Sequence, residues 1–444
     1  MKKTLLIYPT IFIVTALICM LFLLGVAAVP QAMVEENARQ SAEYFYGQKL
    51  FEMSMGEWMN FQKDNYADCI SAGIAYHLGN GDNLWKGIIS ADYNRVADEN
   101  VNVSFYRAMN GAEVETESYA RYWHGNAAVI RLLLICMNIQ TIRWVIMVAG
   151  VLFNTGVVWT LCRRNYKILG SLYGVAFLLV NGVFALTCME YAFIFLLMPL
   201  AVMFLLNHKS MADMRNVIAA FLVVGMLTAY FDFLTAETLT FTVPFTVYYI
   251  VVWKSEQNKS RKEHQKTDLL LLLRTGCAWC AGYAGMFLLK WLLAWVTLGK
   301  EAIVSATDSA LERIAGDVTL TSDMAGQKAT FLQRLGGIWQ RNVGCLYWGS
   351  QDMKPVTVII ITAVIVIVLG TFWYMTRKTK MNYDKAGVLC LVALIPYVRF
   401  LFLSNHAYIH YFFTYRAQMV SVMVLLYLVY KTTILSEIKK GKKK

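Results

Sequence analysis

Two aspartates lie four residues apart in the stretch Asp64-Asn65-Tyr66-Ala67-Asp68. In a helix, this spacing places both carboxylates on one face. Two neighbouring acids can bind a divalent cation such as Mg²⁺ or Mn²⁺, or one of them can act as a general base whose pKa the other raises. The spacing alone favours an ordinary solvated start of a helix, so a catalytic role needs further support.

A single carboxylate, Glu190, lies between two apolar segments with almost no loop around it. A charge held so close to lipid is costly, which makes Glu190 a functional candidate; the alternative is an acid that just reaches water at the membrane edge. Glu190 therefore joins Asp64 and Asp68 as a candidate catalytic residue or metal ligand. Asp232 and Glu237 form a second acidic pair in the next short turn.

Basic and aromatic residues cluster near the other end of the chain. The segment between Arg399 and Arg416 contains His406 and His410, four residues apart. This spacing can bind zinc, but the Glu of the usual zinc motif is missing, so a phosphate or hydroxyl contact is favoured. Arginine suits phosphate because its planar fork makes two parallel hydrogen bonds. An interfacial belt of His and aromatic residues is the alternative.

Membrane helices must position these candidates. Apolar residues make up 58% of the 444 residues and charged residues only 16%, against about a quarter in soluble domains. Apolar runs of about 20 residues indicate transmembrane helices. We predict an all-α polytopic membrane protein with about ten transmembrane helices and a large first extracytoplasmic loop. The predicted spans are 5–29, 143–162, 168–186, 191–207, 217–234, 238–253, 269–295, 355–375, 386–403 and 416–434.

The net charge of +12 is concentrated in short connections between apolar runs and in the C-terminal lysines. The loop 30–126, by contrast, contains fourteen acidic and seven basic residues. This positive-inside pattern predicts a cell-membrane protein with both termini in the cytoplasm, and it argues against nucleic acid as a partner. The predicted divisions are a first transmembrane helix (1–29), an extracytoplasmic loop with interfacial helices (30–142), transmembrane helices two to seven (143–298), a second extracytoplasmic loop (299–354), and the last three helices with a basic cytoplasmic tail (355–444).

Three local expectations accompany this topology. The short apolar segment 126–139 is expected to lie at the outer interface, with Arg131 reaching lipid headgroups. Lys290 lies near the outer end of a long apolar run, where it either neutralises a phosphate or extends to the interface without a specific role. Cys69 and Cys345 lie in the two outer loops, where they either pair or remain free.

The acidic stretch resembles a motif that follows the first membrane helix of GT-C glycosyltransferases. The resemblance is to the branch that contains the lipid A aminoarabinose transferase and the protein mannosyltransferases, where the pattern is roughly Asp-Glu-x-x-Tyr-Ala-Glu. Asp64, Tyr66, Ala67 and Asp68 match this pattern. Asn65 replaces the second acid, and one residue of spacing is lost, which leaves open whether Asp64 alone is the base.

Two later segments extend the resemblance. The aromatic stretch 119–125 and the link 137–143 into the second helix occupy the places of similar segments in the family, so the similarity covers roughly residues 1–210 in order and spacing. GT-C enzymes take a sugar from a polyprenyl-phosphate or diphosphate carrier on the outer face. An Asp or Glu in the first outer loop deprotonates the acceptor hydroxyl, which attacks the anomeric carbon with inversion.

The resemblance implies a membrane glycosyltransferase with Asp64 as the base and with Asp68 and Glu190 in support or as ligands of a divalent cation. The implied partners are a polyprenyl-phosphate-linked sugar, a cell-envelope glycan or lipid acceptor, and membrane lipids. A flippase or exporter of lipid-linked sugar, and a non-catalytic envelope scaffold, are the alternatives. We expect the two groups of charges, Asp64, Asp68 and Glu190 with Arg399 and Arg416, to line one cavity. The predicted substrate-binding residues are Tyr66, Arg121, His124, Lys290, Arg399, His406, His410 and Arg416.

Overall fold

The computed structural model of the chain describes residues 2–79, 83–253, 261–315, 331–350, 355–376 and 383–441. Parts of the predicted connections 254–268 and 376–385, part of the second outer loop, and the C-terminal residues 442–444 lie outside the described residues. Within the described residues the chain is helical apart from one pair of short strands.

Helices follow one another along the described parts of the chain. The first helices are α1 (Lys2–Ala27), α2 (Glu35–Tyr46), α3 (Asn65–His77), α4 (Leu84–Ser90), α5 (Val101–Met109), α6 (Gly125–Leu134) and α7 (Ile139–Arg163). The central ones are α8 (Lys167–Leu179), α9 (Gly182–Ala185), α10 (Met189–Asn207), α11 (Met214–Phe231), α12 (Leu239–Val251) and α13 (Arg261–Leu298). The last ones are α14 (Lys300–Ala315), α15 (Phe331–Leu346), α16 (Pro355–Thr376), α17 (Tyr383–Phe402), α18 (Ser404–Ile409), α19 (Tyr411–Thr414) and α20 (Met419–Gly441). The strands β1 (Asp92–Asn94) and β2 (Thr116–Ser118) pair antiparallel.

Seven helical segments of the described chain are long and apolar enough to cross a membrane. They are Leu6–Ala27, Ile139–Arg163, Met189–Asn207, Met214–Phe231, Lys266–Leu298, Lys385–Phe402 and Tyr411–Lys431. Each of the ten predicted spans overlaps a helix, and three of these helices, α8, α12 and α16, are not among the seven. The molecule is therefore an all-helical, multi-pass membrane protein, and the number ten remains a prediction.

Residues 30–138, which we call the first loop region, pack onto the membrane helices. In this region α3 contacts α6, α10 and β1, while α4 contacts α1 and α13. Asp64 ends the preceding irregular chain and caps α3, because its side chain accepts the N–H of Ala67. An N-terminal aspartate satisfies a backbone donor that the first turn of a helix leaves unpaired. This cap fixes where Asp64 lies.

Arg131 on α6 is buried and stabilises this packing. Its guanidinium donates to the carbonyls of Val26 at 3.3 Å, in the last turn of α1, and Val29 at 2.7 Å, just after that helix. It also donates to those of Ala75 at 2.7 Å and Tyr76 at 2.8 Å, near the end of α3. Carbonyls at helix ends lack partners within the helix, so they attract a cation. The expectation that Arg131 reaches lipid headgroups is therefore wrong.

The C-terminal helices close over the first loop region. Helix α14 packs on α13 and α18, and α15 packs on α18 and α19. The side chains of Ser404 and Asn405 donate to the carbonyls of Ile314 at 3.0 Å and Glu312 at 2.8 Å, which ties α18 to the last turn of α14. Cys69 and Cys345, the pair whose state the sequence leaves open, are both buried free thiols.

Candidate functional site

A polar cavity of about 300 Å³ lies where the first loop region meets the C-terminal helices. Its walls come from α3, the β1–β2 pair and the segment after it, the first turn of α10, the last turn of α14, and α18 with α19. The charged and histidine side chains that line it are Asp64, Arg95, Glu117, Arg121, Glu190, Arg313, His406 and His410. Acids and arginines of the first loop region thus share one cavity with Glu190, Arg313 and the two histidines.

Asp64 and Glu190 form a pair of carboxyl groups in this cavity. Asp64 is only 3% exposed and accepts the N–H of Ala67 at 2.9 Å, and its carboxyl group is hydrogen-bonded to that of Glu190. Burial raises the pKa of Asp64 to about 7, against the lowering effect of the Ala67 hydrogen bond. Carboxyl groups in contact share one proton because two charges would repel each other. The pair therefore holds a base suited to neutral pH.

Asp68, in contrast, does not line the cavity. Its Oδ2 pairs with Arg143 Nη2 at 2.6 Å, and its Oδ1 accepts the N–H groups of Met189 at 2.7 Å and Glu190 at 3.2 Å. Both oxygens are occupied, so the predicted catalytic and metal-binding placement of Asp68 is wrong. Its geometry gives it a positioning role instead, since it holds the first turn of α10 and with it Glu190.

Two arginines lie in the cavity without an acidic partner among the described residues. They are Arg121, in the segment that follows β2, and Arg313, in the last turn of α14. The Nε atoms of both are buried and have no hydrogen-bond partner, and the Arg121 guanidinium lies 3.9 Å from the ring centre of Tyr119. Unpaired buried donors are costly, which favours an anionic ligand between them.

An apolar groove of about 320 Å³ adjoins the polar cavity and shares Arg121, Tyr122 and Arg313 with it. The apolar residues of its lining are Leu234, Tyr283, Ala284, Phe287, Leu288, Trp291, Ala306, Ala310, Ile314, Phe402 and Leu403. Leu288 and Phe402 belong to membrane-spanning helices and are 64% and 66% exposed. Exposed apolar side chains of membrane-spanning helices therefore line the groove, and Arg121 and Arg313 are lining residues that it shares with the polar cavity.

His406 and His410 line the cavity together, as their spacing predicts. Their ring centres are 4.7 Å apart, and the His410 ring stacks on Phe413 at 5.2 Å. Burial lowers the pKa of His410 to about 3, and the nearby cations Arg313 and Arg399 add to this effect; burial also lowers the pKa of His406 well below its usual value. Both imidazoles are neutral at pH 7 and can donate or accept hydrogen bonds to a ligand.

Two of the predicted phosphate ligands do not face this cavity. Arg399 pairs with Glu237 through Nε at 2.7 Å and Nη2 at 3.1 Å, and both side chains are buried. Arg416 donates to the carbonyl of Phe412 at 2.5 Å, and its guanidinium lies 5.0 Å from the ring centre of Tyr191. The prediction that they line the cavity is wrong, because a buried guanidinium takes the acceptors that packing brings nearest.

Two further predicted binding residues are also structural. Lys290 donates to the carbonyls of Ile88 at 3.2 Å and Ile89 at 2.9 Å, in the last turn of α4. His124 precedes α6 in a left-handed conformation, with φ of 58°, and its Nε2 lies 2.7 Å from the Tyr119 carbonyl. Neither lines the cavity, so their predicted contacts with substrate are corrected to contacts within the fold.

Arg95, Glu117 and Arg313 are lining residues that sequence reasoning missed. Arg313 carried a usable signal, because Ala302, Ala306 and Ala310 precede it on one face of α14, a run of small residues that leaves room beneath the helix. Arg95 and Glu117 carried none, since they meet only through the pairing of β1 with β2, which are more than twenty residues apart in the sequence.

The described residues contain no cluster of three or more His, Cys, Asp or Glu side chains arranged to hold a metal ion. Comparison of the chain with protein-family models, curated proteins and solved structures finds no match. The function must therefore be argued from the chemistry of the polar cavity and the groove beside it.

Proposed function

We propose that this protein is an integral-membrane glycosyltransferase that moves a sugar from a polyprenyl-phosphate donor to a cell-envelope acceptor. One observation carries the proposal: the polar cavity and the apolar groove adjoin each other and share Arg121 and Arg313 in their linings. A polyprenyl-phosphate sugar has the same order of parts, with a hydroxyl-rich sugar, an anionic phosphate and an apolar chain. Each part thereby meets a lining of matching chemistry.

In the proposed reaction, Asp64 accepts the proton of an acceptor hydroxyl as that oxygen attacks the anomeric carbon of the donor. A new carbon–oxygen bond forms, the bond from that carbon to the carrier phosphate breaks, and its electron pair leaves with the phosphate oxygen. Attack on the face opposite the phosphate inverts the anomeric configuration. A base whose pKa is near the working pH serves this step well, as the value of about 7 at Asp64 does.

The departing phosphate gains negative charge, which Arg121 and Arg313 are placed to stabilise. Preorganised cations stabilise developing charge strongly, and guanidinium groups match phosphate oxygens in shape. His406 and His410, both neutral, supply hydrogen bonds to the sugar or to the phosphate. Glu190 contributes by hydrogen bonding to Asp64.

Of the three predicted metal ligands, Asp64 and Glu190 line this cavity, and Arg143 pairs with Asp68. Asp64 and Glu190 are the groups that would hold a divalent cation there. Such an ion would add positive charge beside the phosphate oxygens. The roles proposed for Asp64, Arg121 and Arg313 do not depend on it.

The proposal includes a GT-C-like architecture, with about ten spans and with the reaction on the extracytoplasmic side of the cell membrane. The resemblance over residues 1–210 and the acidic character of the loop 30–126 support this orientation. Both termini are then cytoplasmic.

A flippase for lipid-linked sugar is the rival function. It would need polar groups along the depth of several membrane helices. The charges of the cavity instead lie at the starts of α3 and α10, in and beside the β1–β2 pair, and in the last turn of α14. This distribution favours chemistry at one membrane surface.

The test uses purified protein and labelled polyprenyl-phosphate sugars extracted from membranes of the source cells, together with envelope fractions as acceptors. We expect transfer by the native protein and almost none by Asp64→Asn. Equal transfer by both proteins would contradict the assignment of the base. Translocation of the donor across vesicles without its consumption would replace the transferase by the flippase.

A further inference from the structure

The polar cavity has a second entrance, which the proposed donor does not use. Phe51, Tyr66, Arg95 and Glu117 line the cavity, and none of them lines the apolar groove. Phe51 is 48% exposed, and the side chains of Arg95 and Glu117 are 39% and 52% exposed. The cavity therefore opens to water at these four residues, which we call the aromatic mouth.

The aromatic mouth combines a flat apolar surface with charged hydrogen-bonding groups. The rings of Phe51 and Tyr66 stack, with centres 5.7 Å apart and planes at 23°. Arg95 connects Tyr66 with Glu117. Its Nη1 donates to the Tyr66 hydroxyl at 3.1 Å, and its Nε pairs with Glu117 at 3.1 Å. Arginine supplies donors only and a carboxylate supplies acceptors only, so the mouth offers both kinds.

A saccharide matches these features better than the other acceptor classes. Its ring has apolar C–H faces that stack on aromatic side chains, and its rim carries hydroxyls that both donate and accept hydrogen bonds. A lipid acceptor would need a second apolar groove, and the two mouth rings are flanked by the charged Arg95 and Glu117. The apolar groove, in turn, is assigned to the donor chain.

The mouth also lies beside the proposed base. Tyr66 is in the first turn of α3, which Asp64 caps, and both side chains line the same cavity. The proposed phosphate ligands, Arg121 and Arg313, are instead shared with the apolar groove. In inverting transfer, the acceptor and the leaving phosphate lie on opposite sides of the anomeric carbon. The two entrances provide two different directions for them.

We propose that the aromatic mouth is the acceptor subsite and that the acceptor is a glycan, one of whose hydroxyls is directed to Asp64. This inference rests on the proposed glycosyltransferase function. It adds the class of acceptor and the residues Phe51, Tyr66, Arg95 and Glu117 as the groups that bind it.

The first experiment identifies the acceptor class. Purified full-length protein receives the labelled polyprenyl-phosphate sugar pool and, separately, three fractions of the source-cell envelope: water-soluble polysaccharide, lipid extract and delipidated protein. We expect label in the polysaccharide. Label in the lipid or protein fraction would overturn the glycan assignment while leaving the transferase intact. Donor that stays unconsumed with every fraction would instead overturn the proposed function itself.

The second experiment locates the subsite, with the polysaccharide fraction as the varied substrate. Phe51→Ala and Glu117→Gln should each raise the KM for polysaccharide roughly tenfold, the effect of one lost contact of this kind, with little change in the KM for the donor. The matched control is Tyr46→Ala, which removes an exposed aromatic ring that stacks on Tyr106 in the same region but does not line the cavity. An unchanged acceptor KM in both mouth variants would overturn the subsite.

Discussion

Asp64 and Asp232 are buried aspartates with similar proton affinity and different surroundings. Burial raises the pKa of each to about 7. The Asp232 carboxylate accepts hydrogen bonds from the N–H and hydroxyl of Thr235 and does not line the polar cavity, whereas Asp64 faces the cavity beside Glu190. A raised pKa thus reports burial, and only the cavity beside it distinguishes a candidate base from a structural acid.

Two arginines, Arg399 and Arg313, also differ in their surroundings. Arg399 is bound to Glu237 through two hydrogen bonds, while Arg313 donates to the carbonyl of Ser309 at 2.7 Å and keeps a buried Nε without a partner. Arg399 also has a buried Nη1 without a partner, so the two guanidinium groups differ in charge pairing. Glu237 neutralises Arg399, whereas Arg313 lines the cavity and has no acidic partner among the described residues. An arginine in an apolar stretch of sequence therefore does not indicate a ligand-binding site until its partners in the fold are known.

Replacing the two aspartates gives the largest expected contrast. Asp64→Asn should lower kcat roughly a thousandfold, because it removes the general base. Asp232→Asn should stay near the native rate, since asparagine keeps an oxygen for the Thr235 hydrogen bonds. Initial rates of sugar transfer measure both, and a comparable loss in the two variants would erase the distinction between them.

Replacing Arg313 should weaken donor binding, whereas replacing Arg399 should lower the stability of the fold. Arg313→Gln is expected to raise the donor KM by roughly ten- to a hundredfold through the loss of charged hydrogen bonds, with little effect on thermal stability. Arg399→Gln leaves Glu237 buried and unpaired, so it should destabilise the fold by about 3–5 kcal/mol. Donor titrations and thermal unfolding in detergent distinguish the two outcomes, and the reverse pattern would restore Arg399 as the phosphate ligand.

The pH profile sharpens the assignment of Asp64. Because the base must be unprotonated, kcat/KM should rise as pH increases through about 7 and then level off. The hydrogen bond from Glu190 lowers the pKa of Asp64, so Glu190→Ala should move the rising limb to higher pH. Glu190→Gln keeps a donor at this position and serves as the control. A profile that is flat between pH 5 and 9 would contradict the role of Asp64.

Filling the apolar groove has the smallest expected effect. Ala310→Phe should raise the KM for an undecaprenyl donor roughly fivefold by crowding its chain, and it should spare a donor with a short prenyl chain. Thr307→Phe, on the exposed side of α14, is the matched control. Equal effects on long and short donors would place the chain elsewhere.

Much of the fold could be predicted, because helix formation and membrane insertion depend on neighbouring residues. Long apolar runs led to helices at all ten predicted spans, and Asp64 lies at the start of its helix as its spacing suggested. The structure brings only some of the predicted site residues together in the polar cavity. The members that line the cavity are Asp64, Tyr66, Arg121, Glu190, His406 and His410, and those that do not are Asp68, His124, Lys290, Arg399 and Arg416.

By itself, the sequence determined an all-helical membrane protein, the cap of α3 and the local pairing of His406 with His410, since each depends on residues within a few turns. Only the tertiary structure decided which charges are paired. Asp68 meets Arg143 across 75 residues and Arg399 meets Glu237 across 162. A charge buried among helices takes the partner that packing brings within reach, so the acids and cations left over for chemistry emerge only when the helices are assembled.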